Sequence, residues 1–249
     1  KYFKIKTKKL PNLKPWYKTT NVVLRSKQEV NISVIGKYVD LKDAYKSIDE
    51  ALIHGGIANN TRVNLNKIDS EKLTFSQIKN KLSNTNGILI PGGFGKRGTE
   101  GKIQSIKFAR TNKIPFFGIC FGMQLSLIEF ARNVLKIKNA GSTEINKKCT
   151  PIIGLIEEWY KDGILKKGEL KKIGGTMRLG QYECVLLNNS FKKKIYNSNK
   201  IFERHRHRYE VNINYKEKFE DKGLIFSGMS NNNKLPETIE LKAHPWFIG

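Results

Sequence analysis

The stretch Ile114-Pro-Phe-Phe-Gly-Ile-Cys-Phe-Gly-Met-Gln124 decides the fold. Its apolar first half reads as a buried strand, and the chain passes through Gly118-Ile-Cys-Phe-Gly122 into the start of a helix. This is the cysteine counterpart of the Gly-x-Ser-x-Gly nucleophile elbow. Glycines two before and two after Cys120 permit a tight strand-to-helix turn that presents the thiol at the carboxyl edge of a sheet. There a helix N-terminus helps to lower the thiol pKa, and the N–H of Phe121 can face a developing oxyanion. A lone Cys at such a junction is as readily a core residue; the two glycines at these offsets favour the nucleophile.

The sequence before the elbow alternates strand and helix. Residues 31–38 read as a strand, 41–54 as a helix closed by Gly55-Gly56, 61–68 as a second strand and 75–82 as a second helix. An apolar strand at 87–91 ends in Gly92-Gly93, and a helix at about 100–111 leads to the elbow. Such alternation predicts an α/β fold with a mainly parallel sheet covered by helices on both faces. Beyond 151–156, strand-like segments at 177–187, 201–211, 224–229 and 240–248 are separated by Asn/Lys/Gly-rich turns. They predict an antiparallel extension of the same sheet within one domain. Residues 1–28 are basic, contain Pro11 and Pro15, and read as a linker or the trailing end of an upstream domain.

A second glycine-rich strand end, Ile90-Pro-Gly-Gly-Phe-Gly-Lys-Arg-Gly98, falls at the same sheet edge as Cys120. An N–H from Gly93 there can complete an oxyanion hole with that of Phe121. The stretch lacks the GK[ST] ending of a phosphate loop.

The formal net charge of +24 carries the footprint of nucleic-acid binding, but its distribution argues otherwise. Lysines are scattered with asparagine through segments such as residues 8–14, 146–150, 166–172, 190–200 and 230–234, with no dense basic stripe on one helix. No nucleic-acid partner is expected. No apolar run approaches the roughly 20 residues of a membrane-spanning helix, and the first ten residues lack the pattern of a secretory signal. A cytoplasmic protein with no membrane contact is the reading. The three cysteines, Cys120, Cys149 and Cys184, have neither zinc-ligand spacing nor an even count. Reduced thiols are expected, with no metal site, and Cys149 and Cys184 as packing residues.

These residues resemble the class I glutamine amidotransferases. Gly36-Lys-Tyr38, residues 43–47, His54-Gly-Gly56, Gly141-Ser-Thr-Glu144, Gly174-Gly-Thr-Met-Arg-Leu-Gly180, Glu203-Arg-His-Arg-His-Arg-Tyr-Glu-Val-Asn212 and His244-Pro-Trp-Phe247 are similar in particular to the glutaminase domain of the CTP synthase family. The resemblance runs from about residue 29 to Gly249. It implies a flavodoxin-like three-layer fold over 29–249. The implied activity is hydrolysis of glutamine through a Cys120 thioester, supplying ammonia for ATP-dependent conversion of UTP to CTP. ATP and magnesium would belong to a synthetase domain of the same polypeptide, absent here. GTP would act as allosteric activator, and the full-length enzyme would be a homotetramer.

Carried over position by position, the resemblance puts Gly93, Phe121, Gly122, Met123, Gln124, Glu144 and Arg208 in the glutamine pocket. Glu144 suits the substrate α-amino group, and Phe94 and Arg97 are candidate GTP contacts. His205 and His207 alternate with Arg204, Arg206 and Arg208 and read as structural or interface residues. His244 matches the first residue of the family's HPWF segment, and His54 reads as a residue at a helix C-terminus. The family's catalytic histidine and glutamate come in a His-Pro-Glu segment expected a few residues beyond Gly249, so the glutaminase domain reads as truncated before it. Two other readings stay open. One is a class I amidotransferase serving GMP or anthranilate synthesis, against which GGTMRLG and ERHRHRYEVN speak. The other is a non-catalytic regulatory or oligomerisation module with the same fold.

Overall fold

The computed structural model describes residues 11–41, 43–155, 158–161, 164–167 and 177–249. The first half runs α1 (Lys14–Arg25), β1 (Gln28–Gly36), α2 (Lys46–Ala58), β2 (Thr61–Asp69), α3 (Phe75–Leu82), β3 (Gly87–Ile90), α4 (Thr99–Thr111), β4 (Phe116–Gly118) and α5 (Phe121–Asn133). There follow β5 (Ala140–Ser142), β6 (Thr150–Leu155), β7 (Glu158–Lys161), β8 (Ile164–Lys167), β9 (Arg178–Leu186) and α6 (Phe191–Tyr196). The chain closes with β10 (Lys200–His207), β11 (Tyr209–Val211), α7 (Lys216–Glu220), β12 (Leu224–Ser230), β13 (Pro236–Leu241) and β14 (Phe247–Ile248).

Nine strands form one sheet in the order β10-β9-β12-β13-β14-β4-β3-β1-β2. The pairs β1–β2, β1–β3, β3–β4 and β4–β14 are parallel, and the rest of the sheet is antiparallel. Both halves of the sequence-derived architecture are therefore present in one sheet. Strand alternation sorts its side chains. Ile35, Ile88, Ile90 and Phe116 join the large core that includes Ile103 and Ile106 of α4 and Leu125 and Ile128 of α5. Ile32, Leu89 and Phe117 face a cavity together with Leu52 of α2.

One ion pair keeps α4 and α5 in step. Arg110 donates Nε–H and Nη2–H to the two carboxylate oxygens of Glu129, at 2.8 and 2.7 Å, and Glu129 is fully buried. Removing one partner of such a pair costs about 3–5 kcal/mol, because the other charge is stranded. The clamp matters for position: α4 follows the glycine-rich loop after β3, and α5 follows Cys120.

Four details depart from the sequence reading. Residues 14–25 form α1, with Pro15 in the first turn where its missing N–H costs nothing, although Val22 is its only buried residue. Gly55-Gly56 do not close α2, which runs on to Ala58. Gly56 is small because the helix lies on β2: a Cβ there would stand 2.5 Å from Val63 Cγ2 and 2.6 Å from the Thr61 carbonyl oxygen. The left-handed residue that stops the helix is Asn60, at φ 53°. Residues 201–211 divide into β10 of the large sheet and β11, which joins a second sheet ordered β11-β6-β5; the break falls at Arg208. Residues 240–248 likewise divide, between the end of β13 and the short β14. Residues 1–10, and Gly174 to Thr176 of the GGTMRLG segment, lie outside the described residues. Among those described, no helix is long and apolar enough to cross a membrane.

Candidate active site

Cys120 sits between β4 and α5 with φ 52° and ψ −105°. A non-glycine residue in that region stores backbone strain of about 1–3 kcal/mol and is held there by its surroundings. The flanking glycines supply the hold. A Cβ on Gly118 would lie 2.7 Å from the Gly122 carbonyl carbon, and one on Gly122 would lie 2.2 Å from the Ile90 carbonyl oxygen. Strand β4, the start of α5 and the end of β3 thus approach more closely than any side chain allows. A Cβ on Gly92 would reach Cys120 Cβ at 3.6 Å, which brings the Gly92-Gly93 backbone alongside the thiol.

Electrostatics at the sulfur differ in sign from the sequence expectation. Burial pushes the Cys120 thiol up to about 11, and the Glu210 and Glu144 carboxylates add to the rise. The backbone amide of Phe121 works the other way but does not prevail. Desolvation disfavours the thiolate more than one amide and a helix N-terminus favour it. Cys184 is buried and pushed up to about 12, again mainly by burial. Cys149 is raised by burial as well.

The sequence-derived residues divide into two groups around this point. Cys120, Met123 and Gln124 line a cavity of about 680 Å³, together with Gly249 and residues of β10. Gln124 is buried and donates its Nε2–H to the Tyr209 carbonyl oxygen at 2.8 Å, which ties α5 to the β10–β11 bend. Gly93, Phe121, Gly122, Glu144 and Arg208 do not line that cavity. Glu144 accepts the Gly95 N–H at 2.8 Å on Oε1, so its carboxylate stands against the glycine-rich loop and close enough to act on Cys120. Arg208 occupies the bend itself, and its Nε has no hydrogen-bond partner among the described residues. Phe94 is exposed and its carbonyl accepts from Lys37 Nζ, while Arg97 pairs with Glu71 at 2.9 Å. Lys37 and Arg97 lie over the Tyr38 ring at 5.3 and 5.1 Å from its centroid.

Of the four histidines, His54 departs from its reading as a residue at a helix C-terminus, because α2 runs on to Ala58. His205 and His207 share one face of β10, with Nδ1 of the first 2.9 Å from Nε2 of the second. Both line the cavity, and burial beside the Arg178 guanidinium lowers them to about 3 and about 4. Burial holds the Cys120 proton more tightly and makes both imidazoles weaker bases, so the shifts on the two sides oppose proton transfer between them. His244 is buried, with Nε2–H on the Ala109 carbonyl at 3.2 Å and Nδ1 accepting the Trp246 N–H at 3.2 Å; both nitrogens are used in packing. His54 is exposed within α2, one turn before its end.

Sequence reasoning missed a buried charge cluster beside the cavity. Arg178 pairs with Glu237 at 2.5 Å and Glu210 at 3.6 Å, and stacks over Tyr182 at 4.3 Å. Glu210 is pushed up to about 8 by burial and the neighbouring Glu237. Only Glu210 and Arg178 belong to quoted motifs, and nothing local signals that a strand charge will be buried.

A strained cysteine at a strand-to-helix turn, beside a glycine-rich strand end in a mainly parallel sheet, is the arrangement of a glutamine amidotransferase. The family model described as "Glutamine amidotransferase class-I" matches residues 40–249, and the chain belongs to that family. A CTP synthase of Pelagibacter ubique is 66% identical over 100% of this chain and 46% of its own length. One of Bartonella henselae is 52% identical over 96% of this chain and 44% of its own length. The chain spans about half the length of these curated relatives. A solved structure described as the Trypanosoma brucei CTPS glutaminase domain with bound acivicin superposes with a TM-score of 0.77 at 34% identity, covering 88% of this chain and 83% of that one. Within its family, the chain belongs with the glutaminase domains of CTP synthases.

Proposed function

We propose that this chain hydrolyses glutamine through a glutamyl thioester on Cys120 and passes the ammonia to a synthetase domain of the same polypeptide, which converts UTP to CTP with ATP and magnesium. The observation that carries the reading is the elbow: Cys120 held at φ 52° at the start of α5, with the Gly92-Gly93 backbone beside it. In the proposed chemistry the sulfur attacks the carboxamide carbon of glutamine. The carbonyl oxygen takes the negative charge and is held by the N–H groups of Gly93 and Phe121. Collapse expels the nitrogen as ammonia once it is protonated, and water then cleaves the thioester to glutamate. Glu144 receives the α-amino group and Arg208 the α-carboxylate. Phe94 and Arg97 are the proposed contacts of the GTP effector.

With the thiol near 11, ionising it at pH 7 costs about 5 kcal/mol, so a general base is required. We assign it to the histidine of the family's His-Pro-Glu segment. The test is ammonia release from glutamine by the full-length enzyme and its Cys120→Ala variant, with CTP formation from added ammonia as the control. The variant should lose glutamine-dependent activity and keep the ammonia-dependent one. Retention of both would refute the assignment.

A further inference from the structure

Lys102 is an unusual lysine. It projects from the first turn and a half of α4 and is 1% exposed. A side chain so buried almost always meets a carboxylate. Among the described residues no ion pair includes Lys102; Glu100 on the same helix pairs with Arg132 instead, and Glu144 is engaged by the Gly95 N–H. Its ammonium lies 3.9 Å from where a Cβ on Gly93 would stand and 5.5 Å from the centroid of the Phe121 ring. These are the two residues whose N–H groups would hold the oxyanion. The charged groups that act on it are Lys37, from the end of β1, and Arg97, from the loop before α4, both of like sign.

A desolvated cation with no resident anion is costly in the resting protein. It becomes favourable when a negative charge develops nearby in a water-poor site. We propose that Lys102 is the positive charge that backs the oxyanion hole, stabilising the tetrahedral intermediate from behind the Gly93 and Phe121 amides, and that anions bound at Lys37 and Arg97 tune it. The inference rests on the assignment of Cys120 as nucleophile. In this proposal Lys102 acts through the oxyanion hole and not on the sulfur, so it is a positioning residue. The thiol's own shift comes from burial, Phe121, Glu210 and Glu144, without Lys102.

The pH behaviour follows. Burial first, then Lys37 and Arg97, lower the Lys102 ammonium to about 8. Its help is present below that value and is lost as pH rises through it. A polyanion such as a nucleoside triphosphate seated on Lys37 and Arg97 offsets their repulsion and moves the loss to higher pH.

The test uses the full-length enzyme and its Lys102→Met variant. Glutamine-dependent kcat should fall about 10- to 100-fold, with KM for glutamine changed less than about threefold. The alkaline limb near pH 8 should disappear from the kcat profile. Ammonia-dependent CTP formation and the rate of Cys120 alkylation by iodoacetamide, which forms no oxyanion, should be unchanged. A kcat within twofold of the parent, or an alkaline limb that persists, would overturn the proposal. Should the variant not fold, the unaltered enzyme decides: GTP must shift the alkaline limb upward, and an unmoved limb refutes the coupling. Cys120→Ala separates the two levels. If it retains glutaminase activity, the nucleophile assignment fails; if it is inactive while Lys102→Met is unimpaired, only the role of Lys102 fails.

Discussion

Replacing Gly122 by Ala adds one methyl group at the tightest point of the elbow. The new Cβ would stand 2.2 Å from the Ile90 carbonyl oxygen and 3.0 Å from its carbon. A C–H to oxygen contact settles at about 3.3 Å or more, so the end of β3 and the start of α5 must separate by about 1 Å. That carbonyl also accepts the Ile119 N–H at 2.9 Å, a bond that joins β3 to the strand leading into Cys120. Overpacking of about 1–3 kcal/mol, with about 1 kcal/mol for the weakened hydrogen bond, gives an expected destabilisation of about 2–4 kcal/mol. The functional consequence is larger than the stability loss implies. A 1 Å displacement of Cys120 from the Gly92-Gly93 backbone costs on the order of 100-fold in turnover. Urea denaturation measures the first, and glutamine-dependent against ammonia-dependent CTP formation by the full-length enzyme measures the second. Gly55→Ala is the control: it lies within α2 with open space at the Cβ position, and should stabilise by about 0.5–1 kcal/mol. A Gly122→Ala protein with parental stability and glutaminase activity would show that the elbow is not under the constraint described.

Three further outcomes are expected. A glutamine-mimicking electrophile such as a diazo-ketone analogue should label Cys120 and spare Cys149 and Cys184, whereas iodoacetamide alkylation of Cys120 in this chain should rise about tenfold per pH unit up to about pH 11; peptide mapping with the label mainly elsewhere would remove Cys120 from its role. Arg208→Ala in the full-length enzyme should raise KM for glutamine by about tenfold or more and leave ammonia-dependent synthesis nearly intact, while equal loss of both would make Arg208 a residue of the fold. Arg178→Met strands two buried carboxylates and should cost about 3–5 kcal/mol at neutral pH. Glu210 already binds its proton more tightly in the folded chain than in the unfolded one, and losing Arg178 strengthens that bias. Stability of this variant should therefore fall as pH rises from about 4.5 through 8 and beyond, and urea midpoints that fail to decline over that range would contradict the cluster's electrostatics.

Local patterns carried the elbow and the alternation of strands and helices in the parallel half, because Gly118, Cys120 and Gly122 interact within one turn of chain and the apolar runs at 87–90 and 116–118 have strand length and composition. Readings failed where distant residues set the outcome. Gly55-Gly56 have the composition of a helix stop, yet β2 needs Gly56 for close approach. The thiol pKa moved opposite to expectation because the helix N-terminus is local and visible, whereas the burial that outweighs it is assembled by the whole domain. Lys102 and Arg178 look like surface charges in sequence, and only tertiary structure buries them. Arg208 and Glu144 are singled out by family resemblance alone, since nothing in their spacing distinguishes them from ordinary loop and strand charges.

Trapping the covalent intermediate decides whether Cys120 is the nucleophile. The full-length enzyme is mixed with glutamine, quenched in acid within the first turnovers, digested and examined by mass spectrometry. A glutamyl group should appear on the peptide containing Cys120, formed as one ammonia is released per site, and be absent from the Cys120→Ala protein. Ammonia release at the full rate with no acyl group on Cys120, or with the adduct on Cys149 or Cys184, would contradict it.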